Sequence, residues 1–447
     1  MMLHLAQALS APVVQPDLYA ARMQMALSLG WHIVIACFGV GFPALIVFAE
    51  WRALRKDDDD LRELVRRWSK ALAVLFAVGA VSGTILSFEL GILWPGMMGK
   101  FGAVIGLPFA IEGIAFFIEA IFLGIYLYGW DRLSARAHLL SGIPIILSGT
   151  ASAWFVVTAN AWMNQPRGFD IVNGEVTNID PWAAMFNPAT PVQTTHMILA
   201  AFMVAGFGVA SVYAYGILKG RNDRYHRLGF VIPFAIAAVV TPFQIGVGDW
   251  AARFLAENQP AKLAAIESLH ETRKGAPLTI GGIPIDGELR YGIEIPKGLS
   301  LLGKHDPDAE IIGLNEFPED ERPPVAPVHV AFQVMVAIGF GLLGLGIWFA
   351  VAWKRRRALP ASKWFMRAAV AAGPGAAIAL EAGWITTEVG RQPWIVYGVM
   401  RVDEAVTRAP NIRFGYYALI VVYSVLTAAT IFVLRRLARR PEAPQEP

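Results

Sequence analysis

The sequence predicts an all-α integral membrane protein with nine transmembrane helices, its N-terminus outside and its C-terminus in the cytoplasm. Three observations lead to this prediction. Of the 447 residues, 55% are hydrophobic and only 16% are charged, whereas a soluble domain carries roughly 25% charged residues. The hydrophobic residues also form long uninterrupted stretches, and about 20 apolar residues of helix cross a bilayer core of about 30 Å. Finally, Lys and Arg are distributed unevenly among the loops.

Nine stretches have spanning length, and we number them spans 1 to 9. Prolines inside them are tolerable, because neighbouring helices can satisfy the backbone groups that a proline disturbs. The spans lie at 20–49, 70–94, 102–129, 139–162, 192–218, 228–250, 327–353, 365–389 and 414–435.

The basic residues predict which side of the membrane each loop occupies. With the N-terminus outside, the inner loops and the C-terminal tail hold 23 of the 38 Lys and Arg residues, and the short outer segments hold only seven. Short cytoplasmic loops are enriched in Lys and Arg. The long loop after span 6 is therefore predicted to lie outside. No removed signal peptide is expected, since 1–20 lacks a basic start followed by an apolar region and a cleavage site.

The chain is predicted to form one membrane domain in three parts. Residues 1–250 hold spans 1 to 6, 251–326 form an extracytoplasmic loop, and 327–447 hold spans 7 to 9 with the tail. The loop is polar and is expected to have little regular structure beyond an amphipathic helix at 260–274; long loops of this kind are usually functional or disordered. Cys37 is the single cysteine, which excludes a disulfide within the chain and Cys/His zinc spacing.

Two histidines and a methionine lie within spans. A charged side chain at membrane depth costs at least ~2.5 kcal/mol, so such positions suggest function. His32 in span 1 and His196 in span 5 could each ligate haem iron or form an ordinary interhelical hydrogen bond. Met335 in span 7, taken alone, favours core packing. A His/Met pair, however, is typical of a low-spin haem of raised potential, and His196 and Met335 have compatible outer depths.

Span 3 carries Glu112 and Glu119, seven residues apart and therefore on one helix face. An ion pair with another helix is the structural alternative, but the spans offer almost no Lys or Arg at mid-depth. A proton relay is favoured, because buried carboxyl groups can exchange protons. Ser152 and Asn160 in span 4 could join the relay through water, or could simply pack between helices.

Span 8 presents Glu381, Trp384 and Glu388 on one face and is followed by Arg391. A carboxylate that faces a haem can ligate high-spin iron or move protons. Arginine suits a haem propionate, because its guanidinium can form a two-pronged ion pair. The alternative is an interfacial Trp/Arg anchor, which is common at helix ends.

These residues belong to segments that match a known family. The chain resembles subunit I of cytochrome bd quinol oxidases, particularly the cyanide-insensitive branch with a short quinol loop, over nearly its whole length. The segments that carry the resemblance are Arg22–His32, Ala110–Gly113, Gly129–Arg132, Ala159–Met163, Lys262–Glu267, Glu381–Trp384 and Gly390–Trp394.

The resemblance implies roles at the outer side. His196 and Met335 match the axial ligands of a low-spin haem b that takes electrons from quinol. Lys262 and Glu267 match loop residues that bind and deprotonate quinol, so 251–326 is expected to be the quinol-binding loop.

The resemblance also implies a di-haem site. His32 matches a ligand of one of two high-spin haems, and Glu388 matches the carboxylate at the other, with Glu112 beside them. The implied cofactors are low-spin haem b, high-spin haem b and a third high-spin haem that is either d or b. Which high-spin haem takes which ligand stays open.

Further residues match the surroundings of these haems. Glu119 and Ser152 match a route that brings cytoplasmic protons to bound oxygen. Trp384 and Arg391 are expected to flank haem propionates, and Asn160 is placed with them among the cofactor-binding residues. One departure is Gln333, which stands where many members have an arginine near the low-spin haem.

The implied activity is that of an electrogenic quinol:oxygen oxidoreductase of the ubiquinol oxidase kind. It would oxidise quinol at the outer face, reduce oxygen to water with protons from inside, and generate a proton-motive force without pumping. The implied location is the bacterial inner membrane. The expected partners are a homologous membrane subunit II and a small single-span subunit, with no nucleic acid.

Two alternatives remain from the residues alone. The chain could be a membrane cytochrome b that passes quinol electrons to a partner without reducing oxygen. It could also be a proton-coupled transporter whose buried glutamates line a substrate path. Pigment separates the transporter from both cytochromes, and oxygen uptake with quinol then separates the two cytochromes.

Overall fold

The computed structural model describes residues 17–285, 287–360 and 362–438. Within these ranges, nine helices are long and apolar enough to cross a membrane, which confirms the predicted all-α membrane fold with nine spans; the orientation of the termini stays a prediction. They are α1 (Leu18–Lys56), α2 (Asp59–Leu93), α3 (Pro95–Tyr128), α4 (Ala135–Asn164), α6 (Thr190–Leu218), α7 (Arg224–Asn258), α10 (Val325–Arg356), α11 (Lys363–Val389) and α13 (Ile412–Ala438).

The remaining elements are short and lie in the connections. Four helices are α5 (Pro181–Met185), α8 (Pro260–Glu267), α9 (Gly298–Lys304) and α12 (Val402–Ala405). Eight strands form four antiparallel pairs: β1 (Asp170–Val172) with β2 (Glu175–Thr177), β3 (Arg273–Lys274) with β6 (Glu310–Ile311), β4 (Leu278–Ile285) with β5 (Glu288–Ile295), and β7 (Trp394–Val396) with β8 (Met400–Arg401).

The spanning helices extend beyond their apolar stretches. Helix α1 has 39 residues, about 58 Å at 1.5 Å per residue, so it projects past a bilayer core. Asp57 in the left-handed region ends α1, and Asp58 caps α2 by accepting a hydrogen bond from the Leu61 amide. Arg224 at the start of α7 pairs with Asp58. The acidic run therefore forms a tight turn that joins two spans.

Helix α6 lies at the centre of the bundle and packs extensively against α1, α7 and α11. Glycines allow two of these approaches. A β-carbon on Gly41 would lie 2.8 Å from Ala205 Cβ, and one on Gly206 would lie 2.7 Å from Ala237 Cβ. Small residues let helix backbones approach closely in membranes. By contrast, α13 leaves large side chains such as Phe432 exposed, a surface suited to lipid or a partner.

The long loop is more ordered than the sequence predicts. It folds into α8, the β4–β5 hairpin and α9 over a small apolar core that includes Leu263, Ile266 and Leu299. The expectation of little regular structure is therefore wrong for the described part of this loop, because these apolar side chains bury together.

The helix predicted at 260–274 ends early, at Glu267. Ser268 takes the left-handed conformation, its amide donates to the Ala265 carbonyl, and the Leu269 amide donates to the Ala264 carbonyl. This is a Schellman ending, which satisfies the last carbonyls of a helix. Glu267 is thereby held at the C-terminus of α8.

Candidate functional site

A single cavity of about 1820 Å³ runs through the bundle from α1 to the outer loop. A pocket for one drug-sized ligand has about 300–1,000 Å³, so this cavity has room for more than one large group. All twelve site residues expected from the sequence line it: His32, Glu112, Glu119, Ser152, Asn160, His196, Lys262, Glu267, Met335, Trp384, Glu388 and Arg391.

His196 and Met335 line the cavity from different helices, α6 and α10. The His196 Nδ1 atom is buried and has no hydrogen-bond partner. Met335 lies against α11, where a β-carbon on Gly383 would come within 2.9 Å of its Sδ atom. Glycine at 383 thus leaves the space that the thioether occupies.

His32 has one ring nitrogen already committed. Its Nδ1 lies 2.7 Å from Ser82 Oγ, and that hydroxyl donates to the Gly79 carbonyl at 3.0 Å. Since the hydroxyl hydrogen is used there, Ser82 accepts from His32 Nδ1–H. Nε2 then carries the lone pair and is the nitrogen free to bind a ligand, with its ring oriented as metal-binding histidines usually are.

Glu388 joins two predicted residues at the end of α11. Arg391 Nη2 donates to Glu388 Oε2 at 2.5 Å, and Asn160 Nδ2 donates to Glu388 Oε1. Asn160 therefore bonds Glu388, and no bond from it to the span 3 glutamates occurs among the described residues. Arg391 is buried, with Nε and Nη1 unpartnered, as is the Trp384 Nε1 atom.

The network continues to the outer loop through a residue that the sequence analysis missed. Asn164 Nδ2 donates to Asn160 Oδ1 at 3.0 Å, and Asn164 Oδ1 accepts from Lys262 Nζ at 2.7 Å. Gln259 Nε2 also donates to the Asn164 carbonyl at 2.6 Å. Asn164 lies four residues after Asn160 on the same helix, so the sequence already placed the two side chains next to each other.

Glu112 and Glu119 lie on α3 beside α4. Ser152 Oγ donates to Glu112 Oε1 at 3.2 Å. Glu119 lies against the α4 backbone, where a β-carbon on Gly149 would be 3.2 Å from its Oε1. The structure thus brings Glu112 and Ser152 together, with Glu119 two turns further along the same face.

Lys262 and Glu267 are both buried on α8, and neither forms an ion pair within the part of the chain that the structure describes. The pKa of Lys262 is lowered to about 7, mainly by burial and in part by the nearby Arg391, while Glu388 opposes this shift. Burial raises the pKa of Glu267 to about 7, against the effect of the Thr279 amide, which donates to Glu267 Oε2 at 3.4 Å. Both groups can exchange a proton near neutral pH.

Both ends of the Gln333 side-chain amide form hydrogen bonds with the backbone of β4. Its Nε2 donates to the Thr279 carbonyl at 2.9 Å, and its Oε1 accepts from the Gly281 amide at 2.9 Å. One turn away, His329 bonds the carbonyls of Ile266 and Gly281 at 2.7 and 3.0 Å. Gln333 and His329, both on α10, therefore fix α8 and β4 to the membrane bundle.

A further ionisable group also lines the cavity. Asp249 on α7 forms an ion pair with Arg253 at 2.9 Å. The sequence analysis did not single out Asp249, although it lies at the outer end of span 6, one residue before the predicted end. Within the described ranges, no group of three or more His, Cys, Asp or Glu side chains could hold a bare metal ion.

Comparisons with known proteins identify a family that this chain resembles over nearly its whole length. Residues 20–442 match the family described as cytochrome bd terminal oxidase subunit I. A putative cytochrome bd menaquinol oxidase subunit I of Bacillus subtilis is 39% identical over 94% of this chain and 96% of its own. Subunit 1 of the cytochrome bd-II ubiquinol oxidase of Escherichia coli is 26% identical over 94% and 96%. The solved bd oxidase from Geobacillus thermodenitrificans is similar with a TM-score of 0.90 and 42% identity, over 96% of this chain and 99% of that one.

Proposed function

This chain belongs to the cytochrome bd terminal oxidase subunit I family, and from that premise we propose that it is the haem-bearing subunit of a terminal quinol oxidase. It is a multi-pass protein of the bacterial inner membrane. The observation that supports the proposal is that the expected haem ligands, quinol residues and proton-carrying groups all line one continuous cavity. A cavity of this kind allows electrons and protons to meet at one place.

The residues present fit haem. An imidazole nitrogen without a partner at His196 and a thioether at Met335 form a donor pair suited to a low-spin haem b. His32 offers Nε2 to one high-spin haem. Glu388 accepts from two neighbours, yet a carboxylate has about four acceptor sites, so capacity remains for the other high-spin haem, which is d or b. When bound, haem supplies electron transfer and oxygen reduction.

The outer loop would bind quinol. Glu267, with a pKa of about 7, is partly ionised at neutral pH and can accept a proton from a quinol hydroxyl. Lys262 can donate a hydrogen bond to a quinol oxygen. The relatives described above are named as menaquinol or ubiquinol oxidases. The substrate class proposed for this chain is therefore quinol.

Protons for oxygen reduction would arrive from the opposite side. Glu119, Glu112 and Ser152 follow one another along the contact between α3 and α4 and would carry them. Quinol oxidation outside and proton uptake inside separate charge across the membrane, so no pump is required. Trp384 and Arg391, with unpartnered donors in the cavity, would hold propionates.

The relatives are named as subunits, and we propose that this chain likewise assembles with a homologous membrane subunit II and a small single-span subunit. The exposed apolar faces of α3 and α13 are available to them.

The test is a pyridine haemochrome spectrum of the purified membrane complex together with quinol-driven oxygen uptake. We expect haem and uptake in the wild type. His196→Ala should remove the low-spin signal and quinol oxidation while part of the high-spin signal survives. An unchanged low-spin spectrum in that variant would contradict the ligand assignment. A colourless protein would indicate a transporter, and haem without oxygen uptake would indicate an electron carrier.

A further inference from the structure

A buried polar group that the proposed function leaves unused lies at the end of the bundle where the basic loops gather. Glu50 near the end of α1, Tyr126 near the end of α3 and His138 in the first turns of α4 form it, and we name these three residues the inner triad. Glu50 is 4% exposed, and the other two are 2% exposed each. Burying ionisable groups is costly unless they are paired and hydrogen-bonded, so the contacts within this cluster decide how it can act.

The hydrogen bonds of the inner triad fix where its protons lie. His138 Nε2 is 2.9 Å from the Tyr126 carbonyl, which only accepts, so Nε2 carries a hydrogen. His138 Nδ1 is 2.7 Å from Glu50 Oε1, and Tyr126 OH donates to Glu50 Oε2. Glu50 and His138 therefore share one proton between them, either as an ion pair or as two neutral groups. A pair that holds one mobile proton is suited to proton transfer.

The inner triad borders a pocket that opens at this end of the molecule. The pocket has a volume of about 520 Å³, and both Glu50 and His138 line it. A water molecule occupies about 30 Å³ of liquid, so the pocket has room for several. The Trp130 ring packs against His138, tilted by 38° with ring centroids 4.0 Å apart, and Arg66 lies over Trp130 at 5.1 Å. The other charged side chains of the wall, all from α2, are Asp59, Arg62 and Glu63.

The same helix face leads from the inner triad to the proposed relay. Glu112, Glu119 and Tyr126 are seven residues apart on α3, or about 10.5 Å per step along the axis. Helix α4 faces each of them in turn: Ser152 bonds Glu112, Gly149 lies against Glu119, and a β-carbon on Gly142 would be 3.2 Å from the Tyr126 ring. Tyr126 is thus the next polar side chain on α3 beyond Glu119 toward the basic loops.

We propose that the inner triad is the entry point for protons, which pass from water in the pocket through Glu50 and His138 to Tyr126 and then along the α3–α4 contact to Glu119. For each proton taken up at the pocket, one leaves the Tyr126 hydroxyl toward Glu119, and the shared proton of the pair is restored. Water has to complete the step of about 10.5 Å between Tyr126 and Glu119. This inference rests on the proposed oxidase function.

The test uses the purified complex in liposomes, with quinol-driven oxygen uptake and proton uptake measured in one sample. Glu50→Gln keeps the shape and removes the shared proton. Turnover and proton uptake should each fall about 100-fold, while the low-spin haem remains reducible by quinol and becomes more reduced in the steady state. Glu89→Gln is the matched control, because Glu89 on α2 is also buried, at 4% exposure, and its hydrogen-bond partners Gln24, at 2.8 Å, and Ser28 are neutral side chains. It should leave both rates unchanged.

Tyr126→Phe provides a second variant, since it keeps the ring and removes only the hydroxyl. It should slow proton uptake about tenfold. If Glu50→Gln assembles no haem, Tyr126→Phe becomes the variant that tests the entry route. Proton uptake per haem at the wild-type rate in either variant overturns the proposal and leaves the triad as a structural tie between three helices. An equal loss in Glu89→Gln also overturns it. A wild-type complex without haem or oxygen uptake would instead contradict the proposed function.

Discussion

At the scale of single residues, the buried glutamates differ in what they contact, and this separates their roles. Glu388 accepts a hydrogen bond from the guanidinium of Arg391, a permanent cation. Among the described residues, Glu112 accepts a hydrogen bond from the hydroxyl of Ser152 alone, and Glu267 from the backbone amide of Thr279 alone. A carboxyl group without a cation nearby gains and loses a proton more readily than a paired one. Glu112 and Glu267 are therefore suited to proton transfer, whereas Glu388 is suited to holding Arg391 and Asn160 in place.

Glu267→Gln should slow quinol oxidation about 100-fold, because it removes a general base. The pKa of Glu267 is raised to about 7, so in the wild type the carboxylate is lost as the pH falls below 7. Activity should then drop roughly tenfold per pH unit, and the variant should lack this acid limb. The measurement is quinol-driven oxygen uptake between pH 5 and 8. Haem content should stay intact.

The control for that variant is Glu257→Gln, which changes an exposed carboxylate at the end of α7. Its pH profile should match the wild type. Equal turnover in Glu267→Gln, or loss of every haem in it, would contradict a role in quinol binding.

Glu119→Gln keeps the shape of a side chain that lies against Gly149 but removes its exchangeable proton. Oxygen reduction should slow while electrons still reach the low-spin haem, which should become more reduced in the steady state. The measurement is the haem absorbance during turnover. A reduction level and turnover equal to wild type would leave Glu119 as a packing residue.

At the scale of elements, the contact between α10 and α11 places one proposed haem ligand. Gly383→Ala would put a β-carbon 2.9 Å from Met335 Sδ. The flexible thioether can move aside, so the fold should survive while the ligand is displaced and the low-spin haem spectrum changes. The measurement is the reduced-minus-oxidised spectrum of the purified complex.

Gly375→Ala is the control for this contact, since it lies on the same helix and its β-carbon would be 3.6 Å from Ile338, an ordinary packing distance. Its spectrum should match the wild type. Both substitutions replace helical glycine by alanine and share the same gain in helix propensity, up to about 1 kcal/mol. The same spectral change in both variants would show that Met335 is not the cause.

At the scale of the whole molecule, the cavity connects the outer loop with the interior of the bundle, and the inner triad lies at the other end. Quinol and oxygen chemistry would therefore exchange protons with opposite sides of the membrane. In liposomes, turnover should acidify the side that carries the long loop and make the side of the basic loops alkaline. Charge movement should match electron flow, because no pump contributes.

The measurement uses pH dyes on each side of vesicles in which the complex has a known orientation. An uncoupler should collapse both signals without stopping oxygen uptake. Release and uptake on the same side would contradict the proposed route.

The sequence by itself determined the class of fold and the identity of the candidate site residues. Nine apolar stretches suffice to predict nine helices, because no other open structure satisfies backbone groups in lipid. Ionisable residues at membrane depth stand out for the same reason: their cost marks positions such as Glu119 and His196 without any coordinates.

Only the tertiary structure decided which of these groups meet. Helix periodicity gives the face of a residue but not the neighbour that the face contacts. Spacing within one helix could not predict that Asn160 hydrogen-bonds Glu388 or that Gln333 hydrogen-bonds the backbone of β4. The inner triad joins residues 76 and 88 positions apart in the chain. The order of the outer loop was missed as well, because its core forms from apolar side chains that are scattered along the sequence and come together only when the chain folds.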